Sequence, residues 1–394
     1  MGAAVAVTRL NLAEFRNYES LRLEVDGRPV VLTGPNGAGK TNLLEALSFL
    51  APGRGLRRAG LTEVARRPAG TAAAAPPAAP WAVSARLALA GSGGGVTIGT
   101  GLDGDGAAVQ ARRVVRIDGR PAKSQTALGD WLSVAWLTPQ MDRLFLEGPG
   151  ERRRFLDRLA YGLEPEHARQ LSEFDSALRE RGRLLKDQRD SGRPADPLWL
   201  DVLEERLAGS AVAVAAARRD FVRRLAAAIA AAGDTGPFPR PLLSVVGTLE
   251  QALDGAPALA VEDAYRGRLK VGRRQDMAAG TTLDGPHRSD MAVVHAANGR
   301  PAADCSTGEQ KALLIALVLA HARLLASDRG AVPILLLDEI AAHLDQARRT
   351  ALFAALLGLG AQAWLTGTDG ALFGELGQEA QHFSVQDGRI GGKL

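Results

Sequence analysis

Residues 34–41 read GPNGAGKT, and they leave this part of the chain little choice of fold. They match G-x-x-x-x-G-K-[ST] at every position. They follow the apolar run RPVVLTG and lead into KTNLLEALSFL, where Leu43, Leu44, Leu47 and Leu50 recur at helical spacing. Strand, glycine-rich turn and helix in that order make a phosphate-binding loop. The glycines let backbone N–H groups approach an anion, and the helix N-terminus adds its dipole. Gly34, Pro35, Asn36, Gly37, Ala38 and Gly39 are therefore expected to wrap the phosphates of ATP. Lys40 should reach the β- and γ-phosphates, and the Thr41 hydroxyl should hold Mg2+.

A second stretch, ILLLDEIAAHLD, reads as a fully buried strand that releases Asp338 and Glu339 at its C-terminal end. Ligands of open α/β sheets bind at that end. Asp338 fits the carboxylate on the Mg2+ side, and Glu339 fits a base that polarises the attacking water. Gln140, in TPQMD after another strand, is a candidate for sensing Mg2+ and that water. Ser306 and Gly308 open the helix STGEQKALLIALVLAHA. Glu309 stands at capping-box distance from Ser306, so the stretch is a well-formed helix start. In an ATP-binding-cassette ATPase the same helix start closes on the γ-phosphate held by a second subunit, and the two readings are compatible. Lys311 adds positive charge one turn in. Asp345, after the acidic pair, fits a loop that faces a dimer interface. Cassette ATPases often carry a His in the segment occupied here by Thr366, Gly367 and Thr368, so no His switch is expected. His287 and Arg288, in DGPHRSD, either face a phosphate or simply structure a turn.

With 394 residues the chain has room for two or three domains, or for one large domain with an insertion. AVTRLNL, LRLEV and RPVVLTG read as strands, and the strand-like runs from WAVSARLALA to ARRVVRIDG predict an antiparallel sheet. RRPAGTAAAAPPAAP, near residue 70, reads as an inserted loop. After Gly150 the pattern turns helical, and two long helices joined by SGRPADP predict an antiparallel arm. From about residue 282 strands and helices alternate again, ending in the hairpin HFSVQDGRIGG. The expected fold is α/β: a P-loop ATPase head of the cassette type, with a mixed sheet and an antiparallel part, and an inserted helical arm domain. The boundaries fall at 1–140 (head), 141–281 (arm) and 282–394 (head again).

A net charge of +4, from 48 basic and 44 acidic residues, permits a polyanionic partner without demanding one. Most of the positive charge is Arg, which a GC-rich genome would also produce. The arginines of ERRRFLDR and ARRDFVRR are candidates for DNA contact or for a solvated helix face. Cys305 is the single cysteine, which excludes a disulfide framework or a cysteine-built zinc site. No uninterrupted apolar run of membrane length is evident, and the start MGAAVAVTRLNLAEF lacks signal-peptide character. A reducing, cytoplasmic setting follows.

In order and placement, LNLAEFRNYESLRLEV, GPNGAGKTNLLEALSFL, GPGERRRFLDRLA, TLDGPHRSDM, STGEQKALLIALVLAHA and ILLLDEIAAHLD resemble the RecF family of bacterial DNA replication and repair proteins. The resemblance implies a head related to those of SMC and Rad50 proteins, with a short arm in place of a long coiled coil. It implies a homodimer formed on ATP, DNA binding, weak ATP hydrolysis, and loading of the RecA recombinase at single-strand gaps together with RecR and RecO, in the cytoplasm at the nucleoid. It also implies that Arg16, in FRNY, contacts nucleotide. Ser289 stands where the family usually has a second Asp, and His343 where an acidic residue is usual. A transporter cassette would carry its signature much sooner after the loop, and an SMC or Rad50 protein would need hundreds of heptad residues. A DNA-binding scaffold that has lost hydrolysis would keep the same motifs.

Overall fold

The computed structural model describes residues 3–67, 79–89, 94–103, 112–233 and 236–393. Most of the Pro/Ala insertion near residue 70 lies outside them. In chain order the elements are strands β1 (Ala3–Phe15), β2 (Tyr18–Glu24) and β3 (Val30–Thr33), helix α1 (Lys40–Ser48), then β4 (Ala82–Leu89), β5 (Gly95–Asp103), β6 (Arg112–Ile117), β7 (Arg120–Pro121) and β8 (Val134–Leu137). Helices α2 (Pro149–Leu163), α3 (Pro165–Ser191) and α4 (Pro197–Ala231) follow, then β9 (Pro241–Val246), α5 (Thr248–Gly255), α6 (Ala258–Ala279) and β10 (Asp290–His295). The chain continues through α7 (Thr307–Arg329), β11 (Ala331–Val332), β12 (Ile334–Leu337), α8 (Gln346–Leu359), β13 (Ala363–Gly367), β14 (Gln381–Gln386) and β15 (Arg389–Lys393). They form two compact units: 1–142 with 235–238 and 314–394, and 143–234 with 239–313.

The first unit holds two sheets. In one, β14, β3, β13, β12 and β8 lie parallel in that order, with β15 added antiparallel at the edge. Its central strands VVLT, ILLL and AWLTG are buried almost throughout, as strands covered on both faces must be. All five parallel strands end at one sheet edge. The second sheet runs β11-β1-β4-β5-β6-β7, with β2 also paired to β1. Its alternating burial in β4, buried and exposed in turn, is that of a sheet with one face on the core. Phe15, Phe49 and Trp81 pack with ring centroids 5.1 to 6.0 Å apart, tying the end of β1 and the chain just after α1 to the start of β4.

The second unit is built on α3 and α4, which pack against each other across a short turn. Gly192, at φ 70°, caps α3, and Asp196 caps α4 by accepting from the Leu198 N–H. Phe174, Leu207, Ala211, Ala215, Tyr265 and Leu269 form its core. Here the expected return to the head at 282 does not match the packing. Strand β10 pairs antiparallel with β9 and so stays with the helical unit, and the return comes at residue 314, inside α7. The membrane expectation also needs amending. Helix α7 is long and apolar enough to cross a membrane, but 83% of its most apolar window is buried within the protein, as in a core helix.

Candidate nucleotide site

The loop 34–39 joins β3 to α1 as expected. Gly34 sits at φ 150° and Gly39 at φ 113°. A Cβ on Gly34 would come 2.1 Å from the Val385 carbonyl oxygen, and one on Gly39 would come 2.5 Å from Asn17 Nδ2. Both positions therefore exclude any side chain. The loop is braced from below by the turn between β1 and β2. Asn17 Nδ2 donates to the Ala38 carbonyl at 3.1 Å, and the buried Tyr18 hydroxyl donates to the Gly39 carbonyl at 3.1 Å. Burial pushes the Tyr18 phenol above its usual pKa, so it stays a neutral donor. Sequence reasoning does not single out Asn17 or Tyr18. FRNY carries a signal, but its physical content, two donors aimed at loop carbonyls, needs the fold to bring the turn beneath the loop.

Lys40 is buried and curls over the loop, donating to the Gly34 and Pro35 carbonyls at 2.7 and 2.9 Å. Burial lowers its pKa, against the opposing pull of Glu339 and Asp338. Thr41 Oγ1 lies 2.9 and 3.1 Å from the two carboxylate oxygens of Asp338, so the loop and the β12 end meet directly. The Thr366 hydroxyl, fully buried at the end of β13, donates to Asp338 Oδ1 at 2.7 Å and accepts the Glu339 N–H at 2.9 Å. Thr366 thus fixes both acids at once. Glu339 itself has φ 50°, an unusual conformation for a residue with a side chain, and it is half-buried. Gln140 is exposed in the turn Pro139–Arg143. Because β8 runs parallel to β12 with Leu137 opposite Leu337, Gln140 leaves the sheet at the edge that carries Asp338 and Glu339.

Other expected residues have partners of their own. The Arg16 guanidinium grips the buried Glu45 carboxylate through two bonds, at 2.8 and 2.6 Å, and the Glu63 carbonyl at 2.9 Å. Asp345 caps α8 by accepting the Arg348 N–H at 2.8 Å. In the second unit, Ser306 and Glu309 form the full capping box. Glu309 accepts from the Ser306 N–H and hydroxyl at 2.8 Å each, and the Glu309 N–H returns to Ser306 Oγ at 3.3 Å. Ser306, Thr307 and Gly308 are exposed. His287 donates or accepts at the Thr282 carbonyl, 2.8 Å away, and Arg288 Nη2 donates to the same carbonyl at 3.3 Å, so both serve the turn.

The arginines of ERRRFLDR and ARRDFVRR are largely committed within the protein. Arg152 makes two 2.7 Å bonds to Asp290, Arg153 donates to the Ser289 carbonyl, and Arg218 is buried on Asp157 at 2.7 and 2.8 Å. Arg219 pairs with Asp254 and Arg223 with Asp220. RRRFLD and GPHRSD are therefore two halves of one ionic joint. Ser289, standing where a second Asp is usual, donates at 2.9 Å to the buried Glu250, beside which a carboxylate would be repelled.

For Mg2+, the donor set fits. A hydroxyl and a carboxylate, both hard oxygen ligands, stand side by side at Thr41 and Asp338. Among the described residues no cluster of three or more His, Cys, Asp or Glu forms a metal cage. A cation here would take its remaining ligands from phosphate and water, as Mg2+ commonly does.

A phosphate loop facing an acidic strand end across a parallel sheet, with an antiparallel sheet alongside, defines the head of an ATP-binding-cassette-type ATPase. The family model described as the RecF/RecN/SMC N terminal domain matches residues 6–368. A protein of Rhizobium meliloti named DNA replication and repair protein RecF is 50% identical over 388 residues, covering 98% of this chain and 99% of its own length. The protein of the same name from Agrobacterium fabrum is 49% identical over 386 residues, with 98% of each covered. The chain belongs to the RecF family. Among solved structures, the recombination mediator protein RecF-ATPrS in the RecFOR pathway superposes with a TM-score of 0.82 at 22% identity, over 100% of this chain and 99% of that one. An Smc head domain from Pyrococcus furiosus reaches 0.51 at 15% identity, over 99% and 96%.

Proposed function

We propose that this protein is an ATP-dependent DNA-binding protein of recombinational repair and replication restart, and that ATP acts by closing two copies into a clamp. The observation that carries the reading is the direct contact between Thr41 and Asp338, which assembles a phosphate loop and an acidic strand end into one site. Full-length relatives named as DNA replication and repair proteins give that site its context. The loop N–H groups and Lys40 hold the phosphates, with Lys40 exchanging its two loop carbonyls for phosphate oxygens. Thr41, Asp338 and Gln140 would hold Mg2+, which would neutralise charge on the β- and γ-phosphates. Glu339 orients water toward the γ-phosphate and accepts its proton. Ser306 and the Gly308 N–H of a second copy close on that phosphate, with Asp345 at the interface between copies and Arg16 near the nucleotide. Turnover is slow and serves to open the clamp. By family, its partners are RecR, RecO and RecA at gapped DNA, and its place is the cytoplasm.

The test is sedimentation with and without ATP. The wild type is expected to dimerise on ATP. Glu339→Gln should bind ATP and accumulate as dimer, and Ser306→Arg should bind ATP and stay monomeric. A Ser306→Arg protein that still dimerises on ATP would refute closure in trans, and wild-type turnover by Glu339→Gln would remove Glu339 as the base.

A further inference from the structure

The seven-stranded sheet carries a cavity of about 770 Å³, away from the phosphate loop in sequence, formed by the segment after α1, by β6 and by the segment after β7. Among the described residues six basic side chains line it, Arg54, Arg58, Arg112, Arg113, Arg116 and Lys123, against one carboxylate, Asp103. That local excess of five exceeds the +4 net charge of the whole chain.

In the helical unit Arg152, Arg218, Arg219 and Arg223 are each tied to a carboxylate. Among the described residues Arg54, Arg112 and Lys123 are exposed and make no ion pair. Arg113 forms the floor. It donates to Thr100 Oγ1 at 2.8 Å, to Gln125 Oε1 at 2.9 Å, and to the Gly53, Ala51 and Phe49 carbonyls beyond the end of α1. All five partners are neutral, and burial alone pushes its pKa down to about 10, still well above neutrality. Among the described residues this half-buried cation has no carboxylate partner.

Among the described residues the lining also holds no aromatic side chain. A site for single-stranded DNA would use rings on which bases stack, whereas cations alone read the sugar–phosphate backbone and carry no base preference.

We propose that this cavity is a second anion site of the head, distinct from the phosphate loop, and that it takes backbone phosphates of duplex DNA without regard to sequence. The inference rests on the DNA-binding reading above and names the surface that does it.

The test compares the wild type with Arg54→Ala/Arg112→Ala/Lys123→Ala. These three side chains are exposed and outside the nucleotide site, and Arg113 is left in place because it supports the fold. Duplex affinity in ATP is measured by fluorescence anisotropy across a salt series, alongside a single strand of equal length, ATP affinity and ATP-driven dimerisation. The expected result is unchanged ATP binding and dimerisation, duplex affinity roughly tenfold lower or more, and a log affinity against log salt slope shallower by about 2 to 3, at about 0.9 for each phosphate no longer neutralised. The loss should be greater for duplex than for single strand. A variant that binds duplex with the wild-type affinity and slope overturns this inference and leaves the proposed function standing. A variant that loses ATP affinity instead shows a nucleotide site and overturns it too. A wild type that binds no DNA in ATP overturns the DNA-binding reading and this inference with it.

Discussion

Thr366 shows how much a single hydroxyl can organise. It satisfies one oxygen of Asp338 and the N–H of Glu339, so the carboxylate on the cation side and the proposed base are held by one group. Replacing it with Val keeps the shape and removes both bonds, leaving a buried N–H unpaired at a cost of about 1–3 kcal/mol. Thr366→Val should bind ATP within a few-fold of wild type, because the loop itself is untouched. Its hydrolysis should fall roughly 10- to 100-fold as Glu339 loses its position. Steady-state kinetics beside equilibrium nucleotide binding separates the two, and a variant with unaltered kcat would show that Glu339 needs no such hold. The P-loop residues and the acidic pair were legible in the sequence because their spacing is local. Thr366, Asn17 and Tyr18 lie in stretches the sequence does mark, but their partners are distant in the chain, and only the fold shows which groups they hold.

At the scale of elements, β3, α1, β12 and the closing hairpin could be read from buried apolar runs and helical spacing. Strand β9 could not. PLLSVV is short, largely exposed and begins with Pro, and its partner β10 lies beyond two intervening helices. Pairing of that kind is set by packing rather than propensity, and missing it placed the return to the head too early. What holds the helical unit is equally invisible to pattern reading. Arg218, inside an apolar stretch of α4, is buried on Asp157 of α2, which also meets His167 of α3. Burial alone would raise the Asp157 pKa, but Arg218 and the bonds it receives hold it below the usual range, so it stays charged. Arg218→Met should strand that charge and destabilise the unit by about 3–5 kcal/mol. Hydrogen exchange along α2 to α4 would report it, with Arg218→Met/Asp157→Leu recovering a large part. Equal exchange in the single variant and the wild type would mean that the joint contributes little.

For the whole molecule, modest net charge sets how DNA binding should respond to nucleotide. If ATP closes two copies on one duplex, as proposed, the cations that reach its backbone double. Log affinity should therefore fall with log salt about twice as steeply in ATP as in ADP. Parallel salt series by anisotropy would show it. Identical slopes in the two nucleotides would mean that one copy binds DNA alone.

The hydroxyl at the end of β13 has one more consequence. An imidazole in that place would gain or lose a proton near about pH 6.5, within the range a cell experiences. A threonine has nothing to titrate there, and Asp338 is held by uncharged donors. Hydrolysis at saturating ATP should therefore run level between about pH 6 and 8. If hydrolysis opens the clamp as proposed, release would keep the same timing as pH falls through that range.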